Sequence, residues 1–222
     1  MKVKSNSKLS IFDTFKTKDG SLTGEAMRQR SIIRILSSKA NPAERTRTGI
    51  SKKIAKGQGN IWKNIYSGIF RDLDEILLPM EIAEEHGRLP LKRGPKALQE
   101  KGIPFYHLTR KGVLIAISIR EIEDKERLLH EFFSKSEPDE KKYEKIITTL
   151  SNTSPNFTYM IFQKYVKAFC EEKIPNLLPF DLSKLQSLPD ETLNTQKELL
   201  EAFLTLSKQE KEEAIKFLNV IN

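Results

Sequence analysis

Two runs of basic and amide side chains carry the chemistry that this 222-residue chain can offer. Between residues 45 and 71 stand Arg45, Arg47, Lys52, Lys53, Lys56, Gln58, Asn60, Lys63, Asn64, Ser67 and Arg71. A second run, Arg88, Lys92, Arg93 and Lys96, lies among glycines and prolines in GRLPLKRGPKALQEKGIP. Lysine and arginine neutralise phosphates, which gives affinity for a polyanion regardless of its sequence. From a helix seated in a major groove, Asn or Gln bonds an adenine edge and Arg or Lys a guanine edge. That chemistry is binding. Catalysis has no such constellation. His86, His107 and His130 are far apart and lack ligand-like spacing, so no metal is expected. No phosphate-binding or dinucleotide glycine motif occurs, so no cofactor is expected. Glu84-Glu85 and Asp72-Asp74-Glu75 have no nucleophile beside them and read as surface charge.

Helices must hold these side chains. Met27, Ile32, Ile33, Ile35 and Leu36 give a first helix, about Glu25 to Lys39, an apolar side, and Asn41-Pro42 stops it. A second helix is expected over Ile50 to Lys56, with Thr48 as its N-cap. Gly57-Gln58-Gly59 can turn the chain, and Asn60 can cap a third helix. Along that helix Trp62, Ile65, Tyr66, Ile69, Phe70, Leu73 and Leu77 recur every three or four residues, a stripe that reads as core. Lys63, Asn64, Ser67 and Arg71 take the opposite side. Lys52, Lys53 and Lys56, with Arg45 and Arg47 before them, suit phosphates.

Ala55, Gly59 and Ile65 set a small residue, a glycine four later and an aliphatic six after that. The stretch Tyr106-His107-Leu108-Thr109-Arg110-Lys111-Gly112 reads as a strand end entering a helix capped by Thr109. Together they resemble the winged helix-turn-helix DNA-binding regulators of archaea and bacteria, over about residues 25–120. The resemblance implies a mainly α fold with a small β-wing, with the third helix in the major groove of double-stranded DNA. It also implies a basic wing on the backbone or minor groove, a role in transcription regulation, and binding as a dimer in many cases. Residues 78–105 would form the wing, with a strand over Leu78–Glu84, a basic loop, and a closing strand over Phe105–Leu108. At this length the wing is larger than the family's usual one, leaving room for a helical turn around Pro95–Lys101. An alternative register takes Gly94–Lys101 as the reading helix, with Leu98 in the core.

Charge divides the chain. Residues 1–120 hold 24 Lys+Arg and 11 Asp+Glu, a balance of +13. That leaves 14 of the 38 basic and 19 of the 30 acidic residues for 121–222, a balance of −5. The expected organisation is a flexible basic arm over 1–22, a winged domain over 23–120 and an all-helical module over 121–222. One long helix is expected from Lys111 to Phe133, then helices at 139–151, 156–173, 181–187, 190–206 and 208–221, punctuated by prolines. Ser207 and Glu210 form a capping box for the last. The acidic module is the candidate for homodimerisation or protein docking. Cys170 alone permits no internal disulfide and reads as a buried core thiol, in keeping with a cytoplasmic protein. No membrane span is expected. Two functions follow: a sequence-specific DNA-binding regulator, or a winged adaptor for a protein partner or RNA.

Overall fold

Thr23 opens the first helix, its hydroxyl accepting the Ala26 N–H at 3.1 Å. In the computed structural model, which describes residues 8–16, 20–58, 62–91, 96–188 and 190–221, this helix is α1 (Gly24–Ser37). Ile32, Ile33, Ile35 and Leu36 are buried as the apolar pattern requires, while Met27 stays outside. The preceding segment lies on α1: Leu9 and Ile11 are buried, and the Gln29 amide oxygen accepts from Ser10 N–H. Over these residues the arm is docked, because two apolar side chains gain more from the core than from water.

Asn41 caps a single 3-10 turn, Pro42–Arg45. Thr46 then forms one β-bridge with Phe105, and its hydroxyl accepts from Gly49 N–H at 3.0 Å. So α2 (Arg47–Gln58) starts three residues before the expected position. Thr46, not Thr48, supplies the cap, because its extended backbone frees its hydroxyl for the first helical donors. The helix continues through Gly57, so the turn is not made there. The turn and capping roles of Gly59 and Asn60 lie outside the described residues.

α3 (Trp62–Arg71) runs on as a π-helix over Asp72–Leu77, with the Leu78 N–H bonding the Leu73 carbonyl. Ile69, Leu73 and Leu77 are buried as expected. Ile65 and Tyr66 are only half-buried, and Phe70 is 45% exposed, so the inward stripe is narrower than its periodicity suggested. The Trp62 side chain lies outside the described residues.

The chain turns over residues 78–82, with Glu81 at φ 56°, where a strand had been expected. Pro79 cannot donate to a ladder, which delays pairing until β1 (Ala83–Leu89). β1 pairs antiparallel with β2 (Ile103–Leu108), Ala83 facing Leu108 and Leu89 facing Ile103. The register shifts between Glu85 and Gly87, leaving His86 as a bulge. A short helix, α4 (Lys96–Lys101), stands between the strands. A helix does stand within the alternative segment Gly94–Lys101, and its six residues lie between the paired strands.

Thr109 caps α5 (Arg110–Ile117), its hydroxyl accepting from Gly112 N–H at 3.2 Å. Gly112 sits against the carbonyl of Ile82, where a Cβ would collide. Val113 to Ile117 are all buried. A helix apolar on every side must be covered on every side. The long helix expected from Lys111 to Phe133 accordingly breaks after Ile117. The chain folds back through Ser118–Asp124, with Asp124 at φ 55°, and α6 (Lys125–Ser134) packs on α5. α7 (Pro138–Lys141), α8 (Glu144–Thr153) and α9 (Pro155–Cys170) follow. Phe180 centres their core, with Phe132, Phe133, Tyr143, Phe162 and Tyr165 ringed around it at centroid distances of 5.2–6.3 Å. Cys170 is buried as expected, and burial pushes its thiol up to about 12.

The chain divides after Asp181 into two compact units, not near residue 120 where the charge changes. The second holds a 3-10 turn (Leu182–Leu185), α10 (Glu191–Thr205) and α11 (Lys208–Ile221). Among the described residues the chain is mainly α with one two-stranded antiparallel sheet and a helical C-terminal part, a layout compatible with a winged helix. Among the described residues, no helix is long and apolar enough to cross a membrane.

One buried ion pair ties α5 to the helices that follow. The Glu140 carboxylate receives Arg110 at 2.5 Å, the Phe180 N–H at 2.5 Å and the Glu137 N–H at 2.9 Å. Burial pushes its pKa up, but these three donors more than reverse that and hold it below the ordinary glutamate range. A depressed folded pKa gives stability that is complete above the unfolded value and lost as pH falls through the folded one. Glu140→Gln should cost about 3 kcal/mol at neutral pH and flatten the acid limb of the stability curve in urea melts at pH 3–7. Gly112→Ala should cost about 2 kcal/mol in the same assay, because the added methyl has no space beside the Ile82 carbonyl.

Candidate nucleic-acid interface

The basic run divides according to whether an acidic partner lies within reach. Arg47 opens α2 and forks onto Asp74, with Nε 3.0 Å and Nη2 2.5 Å from the carboxylate. Its guanidinium also lies 5.2 Å from the ring centroids of both Phe70 and Tyr106. Burial pulls the Arg47 pKa down, but the Asp74 hydrogen bonds and the charge around it leave it raised. Burial also lifts the Tyr106 phenol to about 12, so that ring stays neutral. Arg45 donates to the Ser38 carbonyl at 2.8 Å, closing the end of α1. Both arginines were expected on phosphates; the structure uses them to join helices.

Asp72 and Asp74 are the reason. Asp72 is fully buried against Arg28 of α1, which reaches it at 2.5 and 3.1 Å. These carboxylates are anchors within the fold, and the expectation of surface charge is corrected for both. The signal was present in the sequence: two aspartates on a strongly amphipathic helix, and arginines on both preceding helices.

Lysines fill the exposed positions. On α2, Lys52, Lys53 and Lys56 are exposed; Lys53 meets Glu44 at 3.2 Å in a pair about 40% exposed on each side. Arg34, exposed near the end of α1 and not singled out from the sequence, shares with Lys53, Ser31 and Ser38 a recess of about 320 Å³. On α3, Lys63, Ser67 and Arg71 follow at intervals of four, so they fall on one stripe with the exposed Phe70 beside it. Arg71 is 52% exposed and only distantly paired, 3.9 Å from both Glu25 and Asp72. Lys56, Lys63 and Lys96 have no acidic partner among the described residues. Asn60, Lys92 and Arg93 lie outside those residues, as do the side chains of Gln58 and Asn64.

The hairpin is less uniformly basic than its sequence suggests. Arg88 is held by Glu85 at 2.6 and 3.0 Å. The fold also brings together two histidines that sequence spacing separates, because strand pairing sets Glu84 opposite His107 and His86 stands in the bulge two residues on. Their rings are 4.3 Å apart, and His107 Nε2 lies 2.9 Å from the Glu84 carboxylate. Burial first, then the neighbouring His86, lowers the His107 pKa against the opposing pull of Glu84. Among the described residues, no three His, Cys, Asp or Glu side chains are grouped as metal ligands.

This surface can attract a polyanion through exposed lysines on two packed helices, with Ser67 and Arg71 placed to hydrogen-bond. Comparison with protein-family models, curated proteins and solved structures gives no match for this chain.

Arg47→Lys keeps the charge but loses the fork and the stacking on two rings. It should lower the melting free energy by about 2 kcal/mol, whereas Lys56→Ala should change it by less than about 0.5 kcal/mol. Urea denaturation of the full chain reads both.

Proposed function

We propose that residues 8–181 form a double-stranded DNA-binding module of winged helix-turn-helix type, and that the protein is a sequence-specific transcriptional regulator. The observation that carries this reading is the exposed stripe Lys63–Ser67–Arg71 on α3, beside an α2 whose outer positions are lysines. In this reading α3 enters the major groove and Lys63, Asn64, Ser67 and Arg71 face base edges. Lys52, Lys53 and Lys56 meet phosphates, and the β1–β2 hairpin with Arg88, Lys92, Arg93 and Lys96 follows the backbone or the minor groove. Gln58, the last residue of α2, and Asn60, which follows it in the sequence, complete the set. The connector bridge from Thr46 to Phe105 supports the layout, because it ties the hairpin to the helices it would flank.

Phe70 favours a second reading. An aromatic ring 45% exposed beside the polar stripe suits apolar contact with a protein or an unpaired base of RNA, and so an adaptor.

Salt separates the two. Fluorescence anisotropy with a labelled duplex should show log affinity falling linearly with log salt, with a slope of about 0.9 for each phosphate contacted. Lys56→Ala and Lys63→Ala should each reduce that slope by about 1, with the fold unchanged. Weak association that ignores salt would eliminate the DNA reading and leave the adaptor.

A further inference from the structure

A recess of about 470 Å³ opens beside the polar stripe of α3, lined by Arg28, Ile65, Ser67, Gly68 and Arg71. Arg28 belongs to α1 and reaches the recess by crossing α3 at Gly68. A methyl on Gly68 would stand 2.9 Å from the Arg28 Nε and 3.2 Å from its Cδ and Cζ, so glycine leaves that path open. The Arg28 Nε and Nη2 are engaged by the fully buried Asp72 carboxylate, while the side chain stays 21% exposed. Covalent geometry puts those two donors on one edge of the planar guanidinium. The others, both of Nη1 and the second of Nη2, lie along the remaining edges. Nη1 has no hydrogen-bond partner among the described residues. A guanidinium fixed on one edge by a carboxylate presents the next edge as a rigid pair of parallel donors.

We propose that Arg28 is a specificity-determining residue, donating from Nη1 and Nη2 to the O6 and N7 of a guanine in duplex DNA. The first helix would then take part in base reading, next to the stripe of α3. The inference rests on the DNA reading proposed above. Three observations favour a base over a phosphate. The first is charge. Arg71 Nη2 stands 3.9 Å from both Glu25 and Asp72, so two guanidinium groups are matched by two carboxylates. Donors without net charge suit the neutral acceptor pair of guanine. The second is the half-buried Ile65, which gives the recess an apolar side where an ion would lose water without replacement. The third is rigidity. The Asp72 fork has already ordered Arg28, so seating a base costs little further side-chain entropy.

Selection of duplexes with a randomised centre by the full chain should enrich one position for guanine. Replacing that guanine by 7-deazaguanine, which lacks the N7 acceptor, should weaken binding on the order of 10-fold in fluorescence anisotropy. Arg28→Met/Asp72→Leu removes the reader without stranding the buried carboxylate. It should still bind duplexes, with no further loss on the 7-deazaguanine substitution. Gly68→Ala displaces the guanidinium at constant charge and should weaken the same preference, which decides the matter if the double variant does not fold. Arg71→Ala should leave the preference in place. A guanine preference that survives the Arg28 and Gly68 variants, or that Arg71→Ala alone removes, overturns the proposal while the DNA reading stands. Enrichment with no guanine position does so too. No enrichment of any duplex would sink the DNA reading, and this proposal with it.

Discussion

Asp72 has no exposed surface, and a carboxylate in that position is tolerable only because Arg28 forks onto it. Two residues later, Asp74 receives Arg47. Side chains two apart on a helix point to nearly opposite sides, so the two carboxylates reach in different directions. One takes α1 and the other takes the start of α2. The third helix is thereby clamped by ion pairs to both helices that precede it, and Ile69, Leu73 and Leu77 fill the space the clamps define. A buried pair of this kind gives little net stability over an apolar substitute, but breaking it strands a charge and is costly. It fixes the arrangement of the helices more than it adds to the depth of the energy well.

This constraint decides which cations face solvent. Arg28, Arg30, Arg45, Arg47 and Arg110 are all engaged in the fold, by Asp72, Glu121, Ser38, Asp74 and Glu140 respectively. A guanidinium offers a planar fork that matches a carboxylate and is weakly hydrated, so it suits partly buried positions. Lys52, Lys53, Lys56 and Lys63 carry compact, strongly hydrated charges on flexible stems and stay outside. The exposed cations of α2 and α3 are therefore mostly lysines, with Arg71 on α3 and Arg34 on α1 exposed beside them. The chain's net charge overstates what is available to a ligand.

Local signals were legible and tertiary ones were not. The apolar period of α1, the Thr109 cap and the Ser207–Glu210 box depend on neighbours within four residues, and each stands where the pattern put it. The fates of Arg45 and Arg47 depend on carbonyls and carboxylates from other elements, so charge counting placed them on phosphates. Phe70 has the right period for the core, but it stays 45% exposed with the Arg47 guanidinium over its ring. The break between α5 and α6 has no glycine or proline to announce it; it follows from the need to cover an apolar helix from several sides. His86 and His107 meet through strand register, which sequence spacing cannot give.

The same reasoning changes the meaning of the charge asymmetry. A basic stretch followed by an acidic one invited a boundary near residue 120, yet α5 is buried by α6 and α9 as well as by α1. Of the −5 carried by 121–222, the five lysines and seven acids after 181 account for −2, leaving −3 for 121–181. That −3 belongs to the same compact unit as the +13 of the first 120 residues. Opposite balances within one body give it an electrostatic direction. A polyanion approaching such a body is drawn to one part and repelled by another, which orients the encounter before any contact forms. Separate domains on a linker would orient only the basic one. The packing of α5 against α6 and α9 thus sets basic and acidic stretches in one compact unit.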